Sequence, residues 1–192
     1  DLTHDQNSRI LVIDDLRSIH EDFRKILAPN EAAICAIDAS ETRLFGGTAN
    51  ELHTQFQVDS AFQGKDGVLL VAEAIAAGRP YALAFVDVRM PPGMDGVEAT
   101  QQIWAIDSEI QIVLCTAYSD ASWAEMLEKV DNNDRLLILK KPFDAVEALQ
   151  LARALTEKWS LSREARRKME ELEGGVVMRQ REVSRTHDTL QR

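Results

Sequence analysis

Ala84-Phe85-Val86-Asp87-Val88-Arg89-Met90-Pro91 is an apolar run that ends on a carboxylate and then breaks at proline. A buried strand that delivers an Asp to its C-terminal tip is where open α/β sheets place their chemistry. Many strands end in Asp, so the stretch gains its meaning from its neighbours. Arg9-Ile10-Leu11-Val12-Ile13 runs into Asp14-Asp15, and Ile110 to Cys115 runs into Thr116-Ala117. Leu136-Leu137-Ile138-Leu139 runs into Lys140-Lys141-Pro142-Phe143.

Helical spacing separates these runs. Ile19, Phe23, Ile26 and Leu27 mark a first helix that stops at Pro29-Asn30. Phe56 to Phe62 alternates apolar and polar residues, as an edge strand does. Gly64 to Gly78 carries Val68, Leu69, Ala72, Ile75 and Ala76 on one helical face, and Val97, Ile103, Trp104 and Ile106 define another helix over 96–107. Ser122 is a suitable N-cap for a helix through Trp123, Met126, Leu127 and Val130, and a last helix begins at Asp144. Residues 30–55 form a connection too long for a compact domain and are expected to be an insertion, with Ala32 to Ile37 a short strand or helix. Strand and helix alternating five times predicts an α/β fold with a parallel five-stranded sheet, doubly wound by right-handed crossovers. All C-terminal strand ends then lie along one edge.

The net charge of -10 excludes a general nucleic-acid binder, which needs clustered Lys and Arg. Cys35 and Cys115 stand far apart with no CxxC, which fits a reduced, cytoplasmic protein better than a disulfide scaffold. No run of 18 or more apolar residues is present, and Asp1 to Ser8 is a polar, flexible N-terminus without a signal-peptide core. Residues 144–192 hold ten basic and nine acidic residues, leaving 12 and 23 in residues 1–143. That shift from an acidic globule to a charge-dense, nearly neutral tail marks a boundary near Trp159.

Along the predicted edge, Asp14, Asp15, Asp87, Thr116 and Lys141 converge. Carboxylates about 4 Å apart repel by roughly 4 kcal/mol per pair at an effective dielectric near 20, so a cation must offset them. Hard oxygen donors without Cys or His suit Mg²⁺ rather than zinc. A lysine, a hydroxyl and Mg²⁺ around one central carboxylate suit phosphoryl transfer.

These motifs, together with Met94-Asp95-Gly96, closely resemble a response-regulator (CheY-like) receiver domain of two-component signalling over about residues 9–155. The resemblance implies a flavodoxin-like (βα)₅ fold with Asp87 as phosphoacceptor. It implies Mg²⁺ held by Asp14, Asp15, Asp87 and the backbone carbonyl of Arg89, with Thr116 and Lys141 on the phosphoryl group. A sensor histidine kinase or phosphotransfer protein would be the donor, and the chain would catalyse only its own phosphorylation and dephosphorylation.

Three features depart from the family pattern or bear on it. The loop from Met90 to Gly96 is one residue longer than usual, and Ile138 stands where a Tyr or Phe switch is usual. Arg89 and Tyr118 occupy positions that tune dephosphorylation in the family. A haloacid-dehalogenase-like phosphatase is excluded, because it requires an Asp at the position of Arg89. A pseudo-receiver that only dimerises is the alternative reading. His20-Glu21 mimics a phosphodonor box but is expected to be an exposed helical pair.

Residues 156–192 read as a helical linker to an output domain. An a position at Leu155 continues through Ser162, Met169, Val176, Val183 and Leu190. The d positions are Leu151, Lys158, Ala165, Leu172, Arg179 and Thr186. This partly apolar seam predicts a homodimeric coiled coil, interrupted at Gly174-Gly175 by about 1 kcal/mol per Gly.

Overall fold

Four apolar runs and one alternating segment become five parallel strands in the computed structural model, which describes residues 7–29, 56–117 and 134–190. The strands are β1 (Arg9–Ile13), β2 (Gln57–Ala61), β3 (Leu83–Asp87), β4 (Gln111–Ala117) and β5 (Leu136–Lys141). The described helices are α1 (Arg17–Leu27), α2 (Gly64–Ala76), α3 (Gly96–Ile106) and α4 (Ala145–Leu190). The order β2-β1-β3-β4-β5 is the flavodoxin-like one, and the alternating Phe56–Phe62 run does form the edge strand. The fourth helix expected after Ser122, Tyr118 and the insertion over 30–55 lie outside the described residues.

Two apolar layers sandwich the sheet. On one face Val71 and Ala74 of α2 and Ala99 and Ile103 of α3 pack on Leu11, Ile13, Val86 and Ile112. On the other, Phe23 and Leu27 of α1 and Ala148, Ala152 and Leu155 of α4 pack on Ile10, Val12, Phe85 and Leu139. Because β3 is covered on both sides, all five of its residues are buried and its sequence is a continuous apolar run rather than an alternating one.

Local chemistry sets the helix ends. Gly78, at φ 66°, lets α2 close with Gly78 N–H on Ile75 O and Arg79 N–H on Ala74 O, the paired bonds of a Schellman cap. The Asp95 side chain caps α3 by accepting from Glu98 N–H at 2.8 Å. Asp144 accepts from Val146 N–H at 2.7 Å at the start of α4.

The chain divides into two compact units, Asp1–Trp159 and Ser160–Arg192. In the second, Lys168 pairs with Glu164 at 2.6 Å and Arg166 with Glu170 at 3.6 Å, both at helical i,i+4 spacing. Leu161, Met169 and Leu172 are exposed there. The helical backbone runs on through Gly174-Gly175 to Leu190. About 1 kcal/mol per Gly weakens a helix without forbidding it.

Gly96 brings the start of α3 hard against the backbone at the end of β3. A Cβ there would overlap the carbonyl oxygen of Asp87 and stand 3.0 Å from Val88 Cα. Gly96→Ala is expected to lower unfolding stability by about 1–3 kcal/mol through overpacking against unyielding backbone. Urea denaturation of the pair measures this, and an unchanged midpoint would contradict it.

Candidate phosphoacceptor site

Strand register brings the site residues level. Ile13 pairs with Val86, so Asp14 follows β1 at the height of Asp87, the last residue of the central strand β3. Lys141 closes β5, two strands from β3. The following Phe143 stacks 5.1 Å from Phe23, which lies 4.5 Å from Phe85, so the end of β5 is pinned to the core under β3.

The ammonium of Lys141 stands 2.6 Å from Asp14 Oδ2 and 2.6 Å from Asp87 Oδ1. One cation is thus shared by two buried carboxylates that would otherwise repel. Burial pushes the Asp87 carboxyl above its ordinary pKa. The hydrogen bond and charge of Lys141 oppose that rise, the charge of Asp14 adds to it, and the N–H of Arg89, donating to Asp87 Oδ2 at 3.0 Å, opposes it. Burial works to lower the pKa of Lys141, but its hydrogen bonds and attraction to Asp14 and Asp87 outweigh this and hold it above the ordinary value.

Asp14 is anchored at every polar atom. Its N–H donates to Ala61 O at 3.1 Å, its Oδ1 accepts from Leu16 N–H at 2.9 Å, and its Oδ2 meets Lys141. Its carbonyl accepts from His20 Nε2 at 2.7 Å. This corrects the expectation of an exposed His20-Glu21 pair: Glu21 is exposed, whereas His20 is 1 % exposed. The reason was present in the sequence, since His20, Phe23 and Leu27 share the three-and-four spacing of the buried face of α1.

The remaining site candidates differ in burial and hydrogen bonding. Asp15 is half-buried beside Asp14, and the Arg89 side chain is exposed. Thr116 is buried on β4, and its hydroxyl donates to the carbonyl of Ala117 at 3.1 Å. Ile138 is half-buried on β5 opposite Leu114. Among the described residues no group of three or more His, Cys, Asp and Glu side chains is arranged to hold a metal ion. Two carboxylates and a lysine meet instead.

Residues 47–153 match the family model described as the response regulator receiver domain. The chain belongs to this receiver family. The match takes in Asp87, Thr116 and Lys141, while Asp14 and Asp15 precede it, on the far side of residues 30–55. The chain is 31% identical over 86 residues to sporulation initiation phosphotransferase F of Bacillus subtilis (strain 168), an overlap of 45% of this chain and 64% of that relative. The chain therefore spans just under two thirds of that relative's length. In fold, the receiver resembles an adenylate cyclase structure from Rhodopirellula baltica at TM-score 0.62 and 20% identity, over 85% of this chain and 98% of the other. It also resembles a CheY-like receiver domain protein from Methanospirillum hungatei JF-1 at TM-score 0.55 and 16% identity, over 81% and 98%.

A carboxyl whose pKa is higher in the folded state binds its proton more tightly there, so its contribution to stability is present in acid and lost as pH rises. Relative to Asp87→Asn, the wild-type receiver is therefore expected to lose stability as pH rises from about 4, the ordinary Asp value, until Asp87 is ionised in the folded state. Urea midpoints of the two proteins across that rise measure it. A difference moving the opposite way would count against the raised Asp87 pKa.

Proposed function

We propose that this receiver is a phosphoacceptor in which Asp87 takes a phosphoryl group from the phosphohistidine of a sensor histidine kinase or phosphotransfer protein. The observation that carries the reading is the shared Lys141 ammonium, which ties Asp87 to Asp14 at the tip of the central strand. As the donor N–P bond breaks, its electron pair leaves with the imidazole, and a bond forms between phosphorus and a carboxylate oxygen of Asp87. On this reading Lys141 would pair with the transferred phosphoryl oxygens, and Thr116, one strand over, would turn its hydroxyl from the Ala117 carbonyl to donate to them. Later attack by water returns the Asp87 carboxylate and inorganic phosphate. On this reading the chain acts catalytically only on its own phosphorylation and dephosphorylation.

The chemistry of Asp14 and Asp87 fits Mg²⁺, since both offer hard carboxylate oxygens that already share one positive centre; Asp15 and the backbone carbonyl of Arg89 would supply the further oxygen donors that the family resemblance implies. When bound, Mg²⁺ supplies positive charge against the phosphoryl oxygens.

The phosphorylation state is read out through α4, whose second unit we propose to pair with a second copy as a coiled coil leading to an output domain. No helix among the described residues is long and apolar enough to cross a membrane, and a cytoplasmic location is part of the proposal.

Beryllofluoride or a small phosphodonor with Mg²⁺ is expected to modify the wild-type chain stoichiometrically and to leave Asp87→Asn unmodified, as read by intact mass or ¹⁹F NMR. Failure of the wild type, or equal modification of the variant, favours the pseudo-receiver reading. Sedimentation equilibrium is expected to give a dimer that Met169→Glu with Leu172→Glu converts to monomer, since charges at a and d positions oppose the seam. A wild-type monomer, with or without beryllofluoride, would remove the coiled coil from the proposal.

A further inference from the structure

His20 takes no part in the chemistry set out above, yet its side chain is buried against the site. Its imidazole lies 4.5 Å from the ring of Phe62, which follows β2, and its Nε2 is 2.7 Å from the carbonyl oxygen of Asp14. A carbonyl oxygen only accepts, so Nε2 carries the hydrogen. Nδ1 is buried without a hydrogen-bond partner among the described residues. The ring is thus held in one tautomer by one bond, and that bond ends on the backbone of a site carboxylate.

We propose that His20 is a positioning residue for Asp14. The carbonyl of Asp14 lies where the chain leaves β1 and before α1 begins at Arg17, so neither ladder provides its partner. His20, one turn into α1, closes this gap and fixes the peptide that carries the Asp14 side chain. The other three polar atoms of Asp14 are already tied to Ala61, Leu16 and Lys141. Loss of the His20 bond leaves a buried carbonyl unpaired and frees the Asp14–Asp15 peptide to turn toward water. The carboxylates of Asp14 and Asp87 then no longer converge on one cation.

This rests on the reading of Asp14 as a Mg²⁺-binding residue of the phosphoacceptor site, and the experiment separates the two. The 192-residue chain is compared with His20→Leu, which keeps volume without a donor, and His20→Gln, which restores an N–H. Calorimetric Mg²⁺ titration and phosphorylation by a small phosphodonor are measured beside thermal unfolding. The expected result is Mg²⁺ affinity weakened about 10-fold or more in His20→Leu, the scale on which groups orienting a metal ligand act, and recovered largely in His20→Gln. If both variants lose stability equally while only the Leu variant loses affinity, positioning is upheld. Wild-type binding of Mg²⁺ with unchanged affinity in a folded His20→Leu overturns the positioning role alone. Wild-type protein that binds no Mg²⁺ overturns the reading of the site and this role with it. Should both variants fail to fold, long-range ¹H–¹⁵N spectra of the wild-type imidazole decide: a hydrogen on Nε2 with Nδ1 bare upholds the bond, and the opposite tautomer overturns it.

Discussion

Two carboxylates and one ammonium meet at the tip of the central strand, and the C-terminal edge is built around that meeting. Asp14 and Asp87 are both buried, and each would be costly as a lone charge. Lys141 makes them compatible, and it does so from β5, across β4. The sheet must therefore be complete for the site to be electrostatically tolerable. Conversely, the site ties three of its strand ends together. Removing one partner of such a cluster leaves the others uncompensated, which is why its members are better understood as a group than as separate contacts.

Around that cluster the chain spends its backbone groups in fixing geometry. Asp14 has every polar atom occupied, and Asp87 Oδ2 is held by the amide of Arg89. Phe143, stacked through Phe23 toward Phe85, keeps the end of β5 on the same layer of core that supports β3. Rigid strands thus present the polar side chains, and α1 contributes a buried imidazole behind them. Catalytic groups held by packed elements need less ordering at the moment of reaction.

The sheet, its order of elements and the convergence of Asp14, Asp87 and Lys141 could be read from the chain because buried parallel strands are written as apolar runs, and their polar ends stand out. The extent of the helices and strands differs by a residue or two, as at β4, which continues to Ala117. His20 sends two signals: a polar residue beside Glu21 suggests a solvated face, while its spacing from Phe23 and Leu27 places it inside. Which hydrogen-bond partner a buried polar residue finds depends on a carbonyl six residues away that no periodicity reports. The sharing of Lys141 between two carboxylates was likewise beyond sequence, since spacing brings charges to an edge without deciding how they pair. The uninterrupted α4 shows the limit of intrinsic propensity, which assigns a cost to Gly174-Gly175 without deciding whether the helix bears it.

The glycine contact at the start of α3 bears on how this architecture can vary. Gly96 lies directly on the Asp87 carbonyl, and its N–H is bonded to Val88 O at 3.0 Å. The two ends of the β3–α3 connection are thereby clamped to each other at a fixed separation. Pro91, Pro92 and Gly93 lie outside the clamp, exposed to solvent, and Met90 is tucked beneath it. An added residue in such a connection lengthens only the outer arc. The seven-residue turn from Met90 to Gly96 can therefore differ from its relatives while the strand tip and helix keep their places. The clamp separates the part of the chain that must keep its place for the Asp14–Asp87–Lys141 cluster to form from the part free to vary at the surface.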